Sequence, residues 1–132
     1  MIVVDASAVV HDVALKQIDA LPDRLRQGGT LHAPHLIDVE VTHALRGLVA
    51  RGELSIDGAA SARADAADMP ITLYPHALLL ERAWELRDTL STYDAVYVAL
   101  AELLPAPLVT CDARLAASRG HGAEIELYAP DS

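Results

Sequence analysis

Short apolar runs rich in β-branched residues alternate along the chain with stretches of helical character, and this alternation narrows the fold more than any other feature. The runs are "MIVVD" (1–5), "TLHAP" (30–34), "ITLY" (71–74), "PLVTCD" (107–112) and "AEIELY" (123–128). Helices are predicted over about Ser7–Ile18, within "DALPDRLRQGG" up to Gly28 and Gly29, over Leu36–Arg51, and from a Ser55 cap through Asp68. Three more are predicted over Ala77–Leu90, over "STYDAVYVALAELL" (91–104), and over Arg114–Arg119 up to Gly120. The Leu36–Arg51 segment repeats apolar residues at 37, 41, 44, 45 and 48, which is helical spacing. Strands joined through helices make right-handed crossovers. The expected architecture is therefore α/β, a central parallel sheet of four or five strands in a three-layer α/β/α domain. No internal repeat, linker or low-complexity tract interrupts the pattern, so residues 1–132 read as a single domain.

Composition limits what such a domain can do. Phe is absent and Trp84 stands alone, so a chain that is 52% hydrophobic must build an aliphatic core. The lone Cys111 excludes an internal disulfide framework and a multi-cysteine zinc site. No stretch approaches the roughly 20 apolar residues of a membrane span, and Asp5 stops the first apolar run before it could act as a signal sequence. A cytoplasmic protein is expected. The net charge of −9 argues against a binder that meets nucleic acid by neutralising phosphates with Lys and Arg. If nucleic acid is the ligand, something else must supply local positive charge.

Four acids fall where a merely solvated acid would be unusual. Asp5 ends the first strand and Asp112 the fourth, and ligands of open parallel sheets gather outside the carboxyl ends of the strands. Glu40 lies three residues after Ile37 and four before Ala44, beside the core-facing stripe of its helix. Asp94 occupies the first turn of a nearly all-apolar helix, where the positive end of the macrodipole favours an anion. Taken singly, each has an ordinary reading. Asp5 and Asp112 can be strand-ending turn residues, Glu40 can reach solvent from the margin of its stripe, and Asp94 can be helix-end electrostatics worth ~0.3–1 kcal/mol. Taken together they would repel by about 4 kcal/mol per close pair at an effective dielectric near 20. Such a cluster is kept mainly to hold a cation.

All four donors are hard oxygen ligands, which suits Mg²⁺ or Mn²⁺ and not zinc or copper. Mg²⁺ commonly shares its carboxylates with substrate phosphates, so the implied chemistry is phosphoryl transfer or phosphodiester hydrolysis. Ser7 in "DAS" and Thr110 in "TCD" stand beside the acids and can hydrogen-bond ligating carboxylates, or serve only in local turns and caps.

The segments "VVDASAVV", "APHLIDVEVTHAL", "STYDAVYVALAELL" and "LVTCDARLA" resemble, in order, the four acidic motifs of PIN-domain ribonucleases, and in particular the VapC-type toxins of bacterial toxin–antitoxin pairs. The resemblance spans nearly the whole chain. It implies that Asp5, Glu40, Asp94 and Asp112 bind one or two Mg²⁺ or Mn²⁺ ions, with Ser7 and Thr110 at the accompanying hydroxyl positions. It further implies endoribonuclease cleavage of cellular RNA, a VapB-like antitoxin that wraps the toxin and often places a basic side chain in the acidic pocket, and a homodimer. One position departs. Many relatives carry a further acid two residues beyond the fourth motif's Asp, where this chain has Arg114. That leaves the second metal open, and Arg114 is read either as a phosphate contact or as a solvated side chain.

Rival folds fit less well. Lys16, the only lysine, falls in the wrong element for a phosphorylated receiver domain, and Ser7 stands where a haloacid-dehalogenase-like phosphatase needs a second Asp. The histidines at 11, 32, 35, 43, 76 and 121 show no paired ligand spacing, and Arg46, Arg51, Arg82 and Arg87 read mainly as surface residues. The alternative from another class is a PIN-like interaction module whose acidic pocket binds a basic partner segment and cleaves nothing.

Overall fold

The computed structural model describes residues 1–130; the final two residues of the expected 1–132 domain lie outside them. Strands β1 (Ile2–Val4), β2 (Leu31–Pro34), β3 (Ile71–Tyr74), β4 (Leu108–Thr110) and β5 (Ile125–Leu127) form one sheet in the order β3-β2-β1-β4-β5. Every pairing is parallel, with Ile2 opposite Leu31 on one side of β1 and Val4 opposite Val109 on the other. Successive residues of β1, β2 and β4 are all buried, so both faces of the central strands are covered.

Helices supply that cover in two groups. Helix α1 (Ala6–Val10), α3 (Leu36–Ala50) and α4 (Ile56–Asp68) pack on one another, and α5 (Leu80–Glu85) packs on α6 (Thr92–Leu103), which lies against β1, β2 and β4. Helices α2 (Leu21–Gln27) and α7 (Ala113–Ala116) complete the set. Helix α6 buries Ala95 to Ala101 without interruption, as its sequence requires of a helix enclosed on nearly all sides. Its start is fixed by Ser91, whose extended backbone and Oγ, accepting the Asp94 N–H at 3.1 Å, make an N-cap. The Ser55 cap of α4 is present as predicted, with Oγ accepting the Gly58 N–H at 2.9 Å. Among the described residues no helix is long and apolar enough to cross a membrane.

Three predicted helices are shorter or differently wound. The Ala77–Leu90 stretch is a 3₁₀ turn (His76–Leu78) followed by α5, because the chain must leave the helix in time to reach the extended Ser91 cap. The Arg114–Arg119 helix is only α7. The Ser7–Ile18 helix ends early, with α1 passing into a π-helical turn (His11–Leu15). That turn is closed by the Lys16 N–H, which donates to the His11 carbonyl at 2.7 Å, and Lys16 takes a left-handed conformation with φ 53°. A buried Asp12 carboxylate accepts two hydrogen bonds from Arg26 at 3.1 and 3.3 Å and ties the turn to α2.

Candidate active site

The strand order reverses between β1 and β4, and in open parallel sheets that switch point opens a crevice at the carboxyl ends of the strands. Asp5 and Asp112 follow those two strands directly. Asp5 is also the N-cap of α1. Its Oδ1 accepts the Ala8 N–H at 3.0 Å and the Ser7 hydroxyl at 2.7 Å, while Oδ2 accepts the hydroxyl of Thr110 from the neighbouring strand. Both hydroxyl protons are thereby spent on Asp5, so the 3.3 Å contact between Ser7 and Thr110 is not a further donation. The hydroxyl oxygens accept in turn. Ser7 Oγ takes the Cys111 N–H at 2.9 Å and Thr110 Oγ1 the Asp112 N–H at 3.0 Å. The two strand ends are stapled around one carboxylate.

The other acids arrive from helices and from the end of β4. Asp112 caps α7, with Oδ1 accepting the N–H groups of Arg114 at 2.9 Å and Leu115 at 3.4 Å. Glu40 is half-buried on α3, and its Oε1 accepts the hydroxyl of Tyr97, a residue of α6 only 2% exposed, at 2.7 Å. Asp94 sits one turn before Tyr97 on the same helix. Its Oδ2 lies 3.4 Å from Nη2 of Arg114, which also stands 3.8 Å from Asp112 Oδ2.

Burial and mutual repulsion set the electrostatics. The carboxyl of Asp5 is held above its ordinary range chiefly by burial, against the pull of its three hydrogen bonds and with a further push from Asp112. Burial likewise raises Glu40, opposed by the Tyr97 hydroxyl and reinforced by Asp94 and Asp5. Asp94 is raised by burial, opposed by Arg114 and reinforced by Asp112. The phenol of Tyr97 is pushed well above its usual range by burial and then by Glu40, so it stays a hydrogen-bond donor. Like-charge repulsion thus adds to burial at Asp5, Glu40 and Asp94, and a cation entering among them would relieve that part.

The donor set fits a hard divalent ion in kind, being four carboxylates and no nitrogen or sulfur. Among the described residues, no three acid, His or Cys side chains stand close enough together to hold a metal as placed. Coordination would require the side chains around Asp5 to close inward against their repulsion.

All four predicted acids reach this edge, and Ser7 and Thr110 fix Asp5. Arg114 keeps its guanidinium largely exposed and pairs it with Asp94 and Asp112. Tyr97 was missed. The available signal was a lone phenol among the buried residues of α6, because a buried tyrosine hydroxyl usually seeks a polar partner. Among the described residues the histidines form no ligand group: His32 bonds to Thr30 and Tyr74, and His76 accepts the Leu36 N–H at 2.8 Å.

The sequence profile of the PIN domain family matches residues 2–120. Among curated proteins, the chain is 43% identical to Ribonuclease VapC12 of Mycobacterium tuberculosis over 98% of its own length and 100% of that protein's. It is 45% identical to Ribonuclease VapC1 of the same organism, over 95% and 96% of the two chains. Among solved structures, PAE2754 from Pyrobaculum aerophilum is similar with a TM-score of 0.68 and 25% identity, over 93% of this chain and 87% of that one. The sarcin–ricin loop cleaving toxin VapC20 of M. tuberculosis shares the fold with a TM-score of 0.64 at 18% identity, over 89% and 94% of the two chains.

Proposed function

The chain belongs to the VapC-type PIN-domain ribonucleases, and from that membership we propose that it is a Mg²⁺- or Mn²⁺-dependent endoribonuclease toxin that hydrolyses phosphodiester bonds of cellular RNA in the cytoplasm. The observation that supports this reading best is the mutual placement of Asp5, Glu40, Asp94 and Asp112 at the switch point. Two of them are held by donors whose main role there is to orient a carboxylate: Thr110 and Ser7 for Asp5, and Tyr97 for Glu40.

These four residues would hold the ion. A bound Mg²⁺ or Mn²⁺ would supply positive charge to ionise a water and to offset the negative charge that builds on the phosphate oxygens. The chain's own residues do the positioning. Asp5 cannot swing, because donors from α1 and β4 grip both of its oxygens. Tyr97 aims one Glu40 oxygen, Oε1. Arg114 lends a guanidinium to the Asp94–Asp112 side, where a phosphate oxygen can accept from it once RNA is bound. The attacking water adds to phosphorus as the bond to the leaving ribose oxygen breaks, and that oxygen takes up a proton.

The proposed partners follow the same site. A VapB-like antitoxin would place a basic side chain in the acidic pocket, and the contact of Arg114 with Asp94 favours this, since it is a guanidinium already accepted there. A homodimer is proposed from the exposed apolar run Leu78, Leu80 and Trp84 near α5. Residues 1–132 are proposed to be one PIN domain. Incubating the purified protein with total RNA tests the function: cleavage with Mg²⁺ or Mn²⁺ that stops on chelation is expected, and intact RNA under both conditions would refute it. Intact RNA together with tight binding of a basic partner segment would instead support a PIN-like interaction module.

A further inference from the structure

A groove of about 750 Å³ runs between α1 with its π-helical turn on one side and α3 on the other, and it opens at the acids, since Ser7 and Glu40 form part of its wall. Tyr93, the residue before Asp94, lines the same groove and is 63% exposed. So does His11, at the start of the π-helical turn. Among the described residues the Nδ1 of His11 is sealed from solvent without a hydrogen-bond partner. His43 and Arg51 add basic groups along the groove, in a chain whose net charge is −9. Arg51 shares its charge with Glu53 at 3.4 Å.

We propose that this groove is a nucleobase subsite, which holds a base next to the scissile phosphate by stacking on Tyr93 and hydrogen bonding to His11. The inference rests on the ribonuclease reading. If the phosphate sits at Asp5 and Asp94, the neighbouring nucleotide must lie along a wall that begins at Ser7 and Glu40. The volume falls in the range of small-ligand sites, roughly 300–1,000 Å³. An exposed aromatic ring is the usual platform for an unpaired base, and the imidazole supplies an edge-directed contact. A buried nitrogen without a partner is costly, so a hydrogen-bonding base that lets the imidazole reorient would relieve it. The π-helical turn, a feature found often at functional sites, is what carries His11 into the wall. The next phosphate along the strand would pass His43 and Arg51.

The test compares wild type with the Tyr93→Ala and His11→Ala variants on total RNA and on a short single-stranded oligoribonucleotide containing a mapped cut site. Cut ends are sequenced, KM and kcat are measured separately, and circular dichroism confirms folding. Expected are a base preference beside the wild-type cut that flattens in both variants, and a KM for Tyr93→Ala raised about tenfold, more than kcat falls. Tyr93 is exposed, so that variant remains informative if His11→Ala folds poorly. A wild type without base preference, or folded variants that keep both preference and KM, would overturn the proposal. It would also be overturned if the variants cut RNA normally but lost affinity for a protein partner, which would assign the groove to a peptide. Absence of any wild-type cleavage would remove the ribonuclease reading itself, and is scored separately.

Discussion

The hydroxyl of Tyr97 donates to Oε1 of Glu40 at 2.7 Å, joining α6 to α3 across 57 residues of sequence. Helix α6 therefore delivers two things to the site: the carboxylate of Asp94 in its first turn and, one turn later, the group that aims a carboxylate on another helix. The buried apolar run from Ala95 to Ala101 fixes both positions at once. Replacing Tyr97 by Phe keeps the ring and removes only the donor. RNA cleavage is expected to fall roughly 10–100-fold, with stability lowered by about 1 kcal/mol. Steady-state kinetics and denaturant melts check this, and unaltered kinetics would show that Glu40 needs no such support.

Thr110 makes two connections through one hydroxyl, donating to Asp5 and accepting from the Asp112 N–H. Thr110→Val preserves shape but leaves a buried carboxylate short of a donor and an amide short of an acceptor. The expected loss is about 1–3 kcal/mol in a chemical melt, together with weaker Mn²⁺ binding by titration calorimetry. Ser7→Ala should act in the same direction.

Arg114 places its charge against Asp94 and Asp112, where a divalent ion would also draw on those carboxylates. Arg114→Gln is expected to tighten Mn²⁺ binding measured without RNA, because a competing cation has gone. The exposure of the guanidinium makes a folding defect no concern for this variant. Equal affinity in the two proteins would show that Arg114 does not compete.

The raised carboxyls give a pH signature. With a folded value above the ordinary 3.8, Asp5 binds its proton more tightly in the native state than in the unfolded chain. Native protein then holds more protons than unfolded protein as the pH climbs from about 4 through the folded value, and stability falls over that window. Glu126 and Glu102, held low by Arg24 and Arg82, act oppositely and lose their contribution as the pH drops. Subtracting wild type from Asp5→Asn isolates the first effect. In metal-free buffer the variant should gain melting temperature relative to wild type as the pH rises from 4 to 8. A difference that stayed flat or fell would contradict the burial of a strained carboxylate.

Much of the fold was legible because it depends on local patterns. The β-branched runs at Ile2–Val4 and Leu108–Thr110 read as strands since both faces of a parallel sheet are buried, and Ser55 announces a helix start through its cap. The acids were legible too, because Asp5 and Asp112 end strands and Glu40 borders an apolar stripe. What escaped depends on partners distant in sequence. Nothing near Tyr97 names Glu40, nothing near Arg114 names Asp94, and nothing near Asp12 names Arg26. The overlong Ala77–Leu90 helix has the same origin. No Gly or Pro interrupts those residues, and the break is imposed by the Ser91 cap that α6 requires.

The central claim is that the carboxylates gathered at the end of β1 and β4 hold a divalent ion for RNA hydrolysis. The most direct measurement is cleavage of purified total RNA in millimolar Mn²⁺ by the wild type and by Asp94→Asn, matched for circular dichroism spectrum. Metal-dependent fragmentation by the wild type and none by the variant is the predicted result. Full cleavage by the folded Asp94→Asn protein, or wild-type cleavage indifferent to chelation, would contradict it.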